Sequence, residues 1–243
     1  MKNIVIAAGY ATRLYPLTEN FPKPLLKVGD RSILERMLDD IDPLPEIDSH
    51  IIVTNHKFAP IFEEWLKNMS YTKPVTIIDD GTESNETRLG AVRDLLLAIE
   101  QCNVDDDIMV LAADNILEFS LSGFIEFFRD KGTSVIMCHN EPELRRLQRT
   151  GVIAVDDNMK VLEMQEKPEK PVSNWAVPPF YIYSRKDMPL IRECLSHGCG
   201  YDAPGNLAHY LAEVSILHAW PMPAGRFDIG SLDSYKEAQE RFS

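Results

Sequence analysis

Two cations in a stiff early loop, Arg13 and Lys23, are the residues whose type and spacing first point to chemistry. They follow the apolar run Ile4-Val-Ile-Ala-Ala8, which reads as a buried strand and breaks at Gly9. Pro22 and Pro24 flank Lys23, narrow the backbone on both sides and each remove a donor. A stiff loop with fixed cations at the end of a first strand suits phosphate binding. The plainer alternative is an ordinary strand-to-helix connection with surface charges. Two carboxylates have a comparable setting. Asp114 follows the apolar run 108–112, and Asp228 lies in Arg226-Phe-Asp-Ile-Gly230 at a strand-to-helix turn. Each alone reads equally well as a cap or turn former. Brought within ~4 Å at an effective dielectric of ~20, they would repel by roughly 4 kcal/mol. A Mg²⁺ ion beside a triphosphate resolves such a pair. Glu166-Lys167-Pro168, at the end of another strand, offers a carboxylate for hydroxyls beside a cation for a phosphate, or simply a charged hairpin end.

Periodicity predicts the elements that must carry these groups. Ile33, Leu34, Met37, Leu38 and Ile41 have helical spacing, and Ser32 with Glu35 forms a capping box at its start. Strands are predicted at 51–53, 75–78, 108–112 and 134–137. Helices alternate with them at 58–66, 89–99 and 121–128, the second with Leu89, Val92, Leu95, Leu96 and Ile99 on one face. Such alternation predicts a mostly parallel sheet with helices on both faces, whose ligand lies beyond the carboxyl ends of the strands. Gly9, Gly81 and Asp114 fall at such ends. The second half changes character. Short strands at 151–155 and 161–164 flank the turn Asp156-Asp-Asn158, with further strands near 180–183 and 216–220. Helices are expected near 187–195, after the turn 202–206, and over 231–241 with Ser231 as N-cap. The whole reads as one domain over 1–243, with a nucleotide-binding half of about 1–140 and a substrate-binding half of about 141–243.

Bulk properties narrow the function classes. A formal net charge of -13 disfavours non-specific nucleic-acid binding but leaves room for a local cationic pocket. No signal-peptide pattern opens the chain, and no apolar run reaches the ~18 residues of a membrane span. The cysteines, Cys102, Cys138, Cys194 and Cys199, form no CxxC pair and read as reduced thiols, so a cytoplasmic protein is expected. There is no GxxxxGK[ST] loop, GxGxxG fingerprint, GxSxG elbow or HExxH helix, and the histidines form no motif.

Taken together, Ala8-Gly-Tyr-Ala-Thr-Arg-Leu-Tyr-Pro-Leu-Thr18 and Pro22-Lys-Pro-Leu-Leu26 resemble the signature of the sugar-1-phosphate nucleotidyltransferases. Ala113-Asp114-Asn115, Gly151-Val152, Glu166-Lys167-Pro168 and Asp228-Ile-Gly230 follow in the family's order, so the resemblance covers nearly the whole chain. It implies a Rossmann-like (GT-A-like) three-layer α/β/α fold with a mixed, mostly parallel sheet. It implies Mg²⁺-dependent in-line attack of a sugar 1-phosphate on the α-phosphate of an NTP, dTTP or UTP being favoured, with release of pyrophosphate. Arg13 and Lys23 would be catalytic, at the pyrophosphate and the α-phosphate. Ala7, Ala8, Gly9, Tyr10, Ala11, Thr12, Gly90 and Asn115 would bind nucleotide. Gly151, Glu166, Lys167 and Tyr181 would bind the sugar phosphate, and Asp114 and Asp228 the metal. The partners implied are an NTP and a phosphorylated small molecule, with no nucleic acid or membrane and room for a homo-oligomer. The chain has no left-handed β-helix after its last helix, so a bifunctional acetyltransferase is not expected.

Departures from the family pattern leave the substrate open. Ala11 stands where glycine is usual, and its Cβ is expected to divert the loop from a positive φ. Ala113 and Pro179 also stand near usual glycines, Arg226 replaces a common aromatic, and the base-side loop 81–87 does not match the thymidylyltransferase pattern. The alternatives are a CTP-dependent cytidylyltransferase acting on a non-glucose or non-sugar phosphomonoester, and a catalytically silent regulatory relative. A glycosyltransferase of related fold is disfavoured, because Asp105-Asp-Asp107 precedes its strand.

Overall fold

The structure is a computed structural model describing residues 1–242. The chain opens with β1 (Lys2–Ile6), whose three central residues are buried. A ribbon of β2 (Lys27–Val28) and β3 (Arg31–Ser32) delivers it to α1 (Ile33–Ile41). The predicted capping box forms: Glu35 N donates to Ser32 Oγ at 3.1 Å and Ser32 N to Glu35 Oε2 at 2.8 Å. Donors that a helix start leaves unpaired are thereby satisfied. Then come β4 (Ser49–Thr54), α2 (Ala59–Lys67), β5 (Val75–Asp79), α3 (Ala91–Gln101), β6 (Ile108–Ala112) and β7 (Asn115–Leu117). Next are α4 (Ser122–Lys131), β8 (Ser134–Asn140), α5 (Leu144–Leu147), β9 (Gly151–Val155), β10 (Val161–Glu166), β11 (Trp175–Val177) and β12 (Phe180–Tyr183). The chain closes with α6 (Met188–Glu193), α7 (Gly205–Val214), β13 (Leu217–Pro221), β14 (Arg226–Asp228) and α8 (Leu232–Phe242). The predicted helix 187–195 is α6 followed by a 3₁₀ turn at Cys194–His197. Ser231 caps α8, its Oγ accepting from Ser234 N at 3.2 Å.

These elements fall into two compact units built from interleaved segments. The first comprises Lys2–Leu89, Ala112–Ser122 and the chain from Ala224 onward; the second comprises Met1, Gly90–Leu111 and Gly123–Pro223. In the first unit β1, β4 and β5 pair in parallel, with Ile4 beside Ile51 and Ile52 beside Ile77. Ile4, Val5, Ile52 and Val53 are fully buried, as expected of parallel strands covered on both faces. Each such side chain contributes about 1.5–3 kcal/mol by burial. Leu14, Leu26, Val28, Ile33, Ile116, Ile229 and Ala238 form a further apolar cluster that joins α1, β7, α8 and the loop after β1. In the second unit the order is β10-β9-β11-β8-β12-β6, paired antiparallel, with β13 parallel to β8. Parallel and antiparallel ladders thus both occur, and the fold is a mixed α/β one. The pairs that periodicity did not show are the ones built from two- or three-residue strands, β2–β3, β11 and β7–β14.

A buried polar chain supports the amino ends of the first unit's strands. Asn3 Nδ2 lies 3.0 Å from His50 Nδ1, and His50 Nε2 lies 3.2 Å from Asp42 Oδ1. Nδ1 accepts from an amide, so the proton belongs on Nε2, donated to Asp42. Thr72 N and Lys73 N also donate to Asp42, at 2.7 and 3.0 Å. Desolvation opposes the Asp42 charge, but the hydrogen bonds from Thr72, Lys73 and His50 hold its pKa below the ordinary value. Burial lowers the His50 pKa, against the pull of Asp42, so the imidazole stays neutral in the fold. An unfolded histidine takes up its proton near pH ~6.5, so this arrangement loses stability as pH falls below that toward the folded value. Thermal unfolding at about pH 7.5 and about pH 5.5 should therefore show a smaller acid-induced drop in Tm for His50→Gln than for the wild type. Equal drops would place the acid sensitivity elsewhere.

Candidate active site

The loop after β1 is held from inside while several of its residues stay open. Ala7 N donates to Val53 O at 2.8 Å, and Asn55 Nδ2 to Ala8 O at 3.0 Å. Tyr10 is buried and its hydroxyl donates to Thr82 O at 2.9 Å, tying the loop to the polar segment after β5. Ala11 adopts φ 46 and ψ 42, the left-handed conformation. The expectation that its Cβ diverts the loop is thus corrected. A left-handed non-glycine residue costs roughly 1–2 kcal/mol. The offset is local: Thr18 Oγ1 donates to Ala11 O at 2.8 Å, Leu14 N to the same oxygen at 2.9 Å, and the methyl packs on the Leu14–Ile116 cluster. Gly9, Thr12 and Arg13 are left exposed.

Lys23 sits in a 3₁₀ turn between its two prolines and is only 9% exposed. Its Nζ lies 3.4 Å from Asp114 Oδ2. Asp114 precedes β7, which pairs antiparallel with β14, so Asn115 lies opposite Asp228 and Leu117 opposite Arg226. Ile229 N donates to Asp114 O at 3.1 Å, closing the end of the ribbon. The two carboxylates foreseen separately are therefore neighbours. Asp228 is open at one edge but crowded on the others. Desolvation there, followed by repulsion from Asp114, raises its pKa; Lys23, Arg226 and Arg13 act in the opposite sense. No group of three or more His, Cys, Asp or Glu side chains that could hold a metal occurs among the described residues. Two hard carboxylates fit Mg²⁺, which takes one or two protein carboxylates and completes its shell with phosphates and water.

The residues expected on the sugar-phosphate side, Gly151, Glu166, Lys167 and Tyr181, lie in the second unit. Gly151 opens β9 and is paired across the ladder with Glu166, the last residue of β10. The carboxylate also packs against the start of α7, where a Cβ on Gly205 would collide with Glu166 Oε2. Desolvation raises the Glu166 pKa, against the neighbouring Lys167 and His209. Lys167 is half exposed, with Nζ 3.8 Å from Glu166 Oε1. Its φ of 50 is a strained value that Lys167 N, donating to Thr150 O at 3.1 Å, helps to hold. Tyr181 is 2% exposed within β12, its ring stacked on Tyr183 at 5.6 Å. All four cysteines are free thiols.

Gly90 also belongs to this unit, at the start of α3. The helix starts later than the periodicity of Leu89 suggests, because Gly90 has φ 96. The carbonyls of Tyr201 and Asp202 accept from Val92 N and Ala91 N, each at 3.0 Å. That close approach leaves no room for a side chain: a Cβ on Gly90 would meet Tyr201 O at 2.6 Å. Gly90→Ala combines a disfavoured φ with a clash against backbone, and should destabilise the protein by about 2 kcal/mol or more in urea unfolding. An unchanged urea midpoint would contradict the tight packing.

The fold is α/β, with an exposed cation-bearing loop after β1, a buried lysine and two neighbouring aspartates. The chain belongs to the nucleotidyl transferase family, which it matches over residues 2–243. It is 26% identical over 250 residues to the UTP–glucose-1-phosphate uridylyltransferase AglF of Haloferax volcanii, covering 99% of this chain and 96% of that protein. It is 32% identical over 192 residues to the bifunctional protein GlmU of Methanococcus aeolicus, of which it spans 42%. It is 25% identical over 248 residues to a UTP–glucose-1-phosphate uridylyltransferase of Synechocystis, spanning 62% of it. Among solved structures, a UDP-glucose pyrophosphorylase complexed with UDP-glucose superposes with a TM-score of 0.82 at 22% identity, over 99% of this chain and 97% of that one. A glucose-1-phosphate thymidylyltransferase structure from Bacillus anthracis gives 0.81 at 23% identity, over 99% and 94%. These structures share the Rossmann-like nucleotidyltransferase fold. No helix among the described residues is long and apolar enough to cross a membrane.

Proposed function

We propose that the protein joins an NTP, UTP or dTTP, to a sugar 1-phosphate, forming an NDP-sugar and releasing pyrophosphate. The observation that carries this reading is the Lys23–Asp114 contact at 3.4 Å on a strand pair that sets Asn115 opposite Asp228. Similarity to UTP–glucose-1-phosphate uridylyltransferases supports the substrate class.

The acceptor phosphate oxygen is already an anionic nucleophile, so no general base is required. It attacks the α-phosphorus in line, and the bond to the β-phosphate oxygen breaks. The protein's work is to hold the geometry and to offset repulsion between two anions. In this reading the open Gly9 and Thr12, beside the inner Ala7, Ala8, Tyr10 and Ala11, shape the nucleotide loop. Arg13 contacts the departing pyrophosphate, suited by its forked guanidinium. Lys23, held by its prolines, neutralises the α-phosphate. Asp114 and Asp228 would hold Mg²⁺, which supplies charge compensation to the triphosphate. Glu166 accepts from sugar hydroxyls and Lys167 contacts the acceptor phosphate. The free thiols support a cytoplasmic setting for the proposed enzyme.

Lys23→Ala should lower kcat by about 10²-fold or more, the scale of losing one charge stabiliser of the transition state. Its far-UV circular dichroism should be unchanged. The direct test is a screen of pyrophosphate release with each NTP against sugar 1-phosphates and aminoalcohol phosphates, with Mg²⁺. Release with UTP or dTTP and a hexose 1-phosphate is expected. Release only with CTP and a non-sugar phosphate would reassign the acceptor, and release with no pair would indicate a silent relative.

A further inference from the structure

The Arg226 side chain is engaged on the β7–β14 ribbon. Residues two apart on a strand share a face, and directly paired residues lie side by side. Arg226, Asp228 and, across the ladder, Asn115 therefore line one surface of the β7–β14 ribbon. Arg226 Nη1 donates to Asn115 Oδ1 at 2.5 Å, and Asn115 Nδ2 donates to Asp114 Oδ1 at 2.6 Å. The other Asp114 oxygen receives Lys23 Nζ at 3.4 Å.

The chemistry of the guanidinium makes this chain directional. Arginine offers only donors, whereas an asparagine amide has an oxygen on one side and an NH₂ on the other. Held against Arg226, the amide must turn its oxygen to the guanidinium and so its NH₂ to Asp114. Flipped, it would set donor against donor at Arg226 and a carbonyl against the Asp114 carboxylate. Asn115 is 3% exposed, so solvent does little to relieve a flip. Arg226 Nε is buried with no hydrogen-bond partner, so the guanidinium's tie to this chain runs through Nη1.

We propose that Arg226 is a positioning residue that fixes the Asn115 amide and thereby orients Asp114 to receive the metal. This rests on the assignment of Asp114 and Asp228 as metal ligands made above. Groups that orient a ligand in this way typically account for about 10–100-fold in metal affinity.

The test is Mn²⁺ binding to the enzyme loaded with UTP, with free Mn²⁺ counted by electron paramagnetic resonance against UTP alone. Arg226→Leu should weaken binding about 10-fold. Arg226→Lys, again a donor without an acceptor, should restore most of it. In an Asn115→Ala background, Arg226→Leu should add no further loss, because the relay is already cut. Unchanged binding in Arg226→Leu, or an equal loss with and without Asn115, overturns the inference. Asp114→Asn separates this from the assignment beneath it. If Asp114→Asn leaves Mn²⁺ binding intact, the metal assignment fails. If it weakens binding while Arg226→Leu does not, the relay alone fails.

Discussion

Like charge held at close quarters is the constraint on which the first unit depends. The short ribbon of β7 and β14 pairs Asn115 with Asp228, and the Asp114 charge is near enough to raise the Asp228 pKa. The fold does not leave that repulsion unanswered. A buried lysine reaches Asp114, and Arg13 and Arg226 add positive charge about Asp228. Three cations against two carboxylates form a local electrostatic unit inside a chain whose formal net charge is -13. In the proposed reaction such a unit would suit ligands that carry both signs, a divalent cation with a triphosphate.

The surrounding elements serve that arrangement. Prolines on both sides fix the turn of Lys23, and a single apolar cluster locks β7, α8 and the loop after β1 to one another. The loop itself accepts a strained Ala11 because two hydrogen bonds to its carbonyl and the packing of its partly buried methyl offset the cost. In the second unit the same economy of space recurs. Gly151 and Gly205 leave room for a desolvated Glu166, and Lys167 is held in the left-handed region beside it. Both units therefore place their charged groups where backbone is strained or crowded, as functional sites do.

Long periodic elements were legible from residue order alone. The α1 capping box, the apolar stripe of α3 and the buried runs of β1, β4 and β6 follow from spacing and capping chemistry. The candidate charged residues were legible too, because their motifs are compact. Three-residue strands were not: β7 and β14 are too short for an alternation to show, and their pairing joins residues far apart in the chain, Asn115 and Asp228. Without that pairing Asp114 and Asp228 remain two isolated turn residues and Arg226 a mere departure. The separation of two residues between Arg226 and Asp228 was the available signal, since on a strand it puts both side chains on one face. The conformation of Ala11 was misjudged because local preference was weighed without the tertiary contacts that override it.

The central claim is that Asp114 and Asp228 repel in the free protein and are relieved by a cation. Crowding and the Asp114 charge raise the Asp228 pKa, so its ionised form is disfavoured by folding and the cost is present at pH above the ordinary carboxylate range. Thermal unfolding of Asp228→Asn beside the wild type, in chelator-treated buffer and again with Mg²⁺ and UTP, measures this directly. The account predicts a variant at least as stable as the wild type without metal, and a rise in Tm with Mg²⁺ and UTP that is largely lost. A variant that is less stable without metal, yet keeps the full rise, would contradict it.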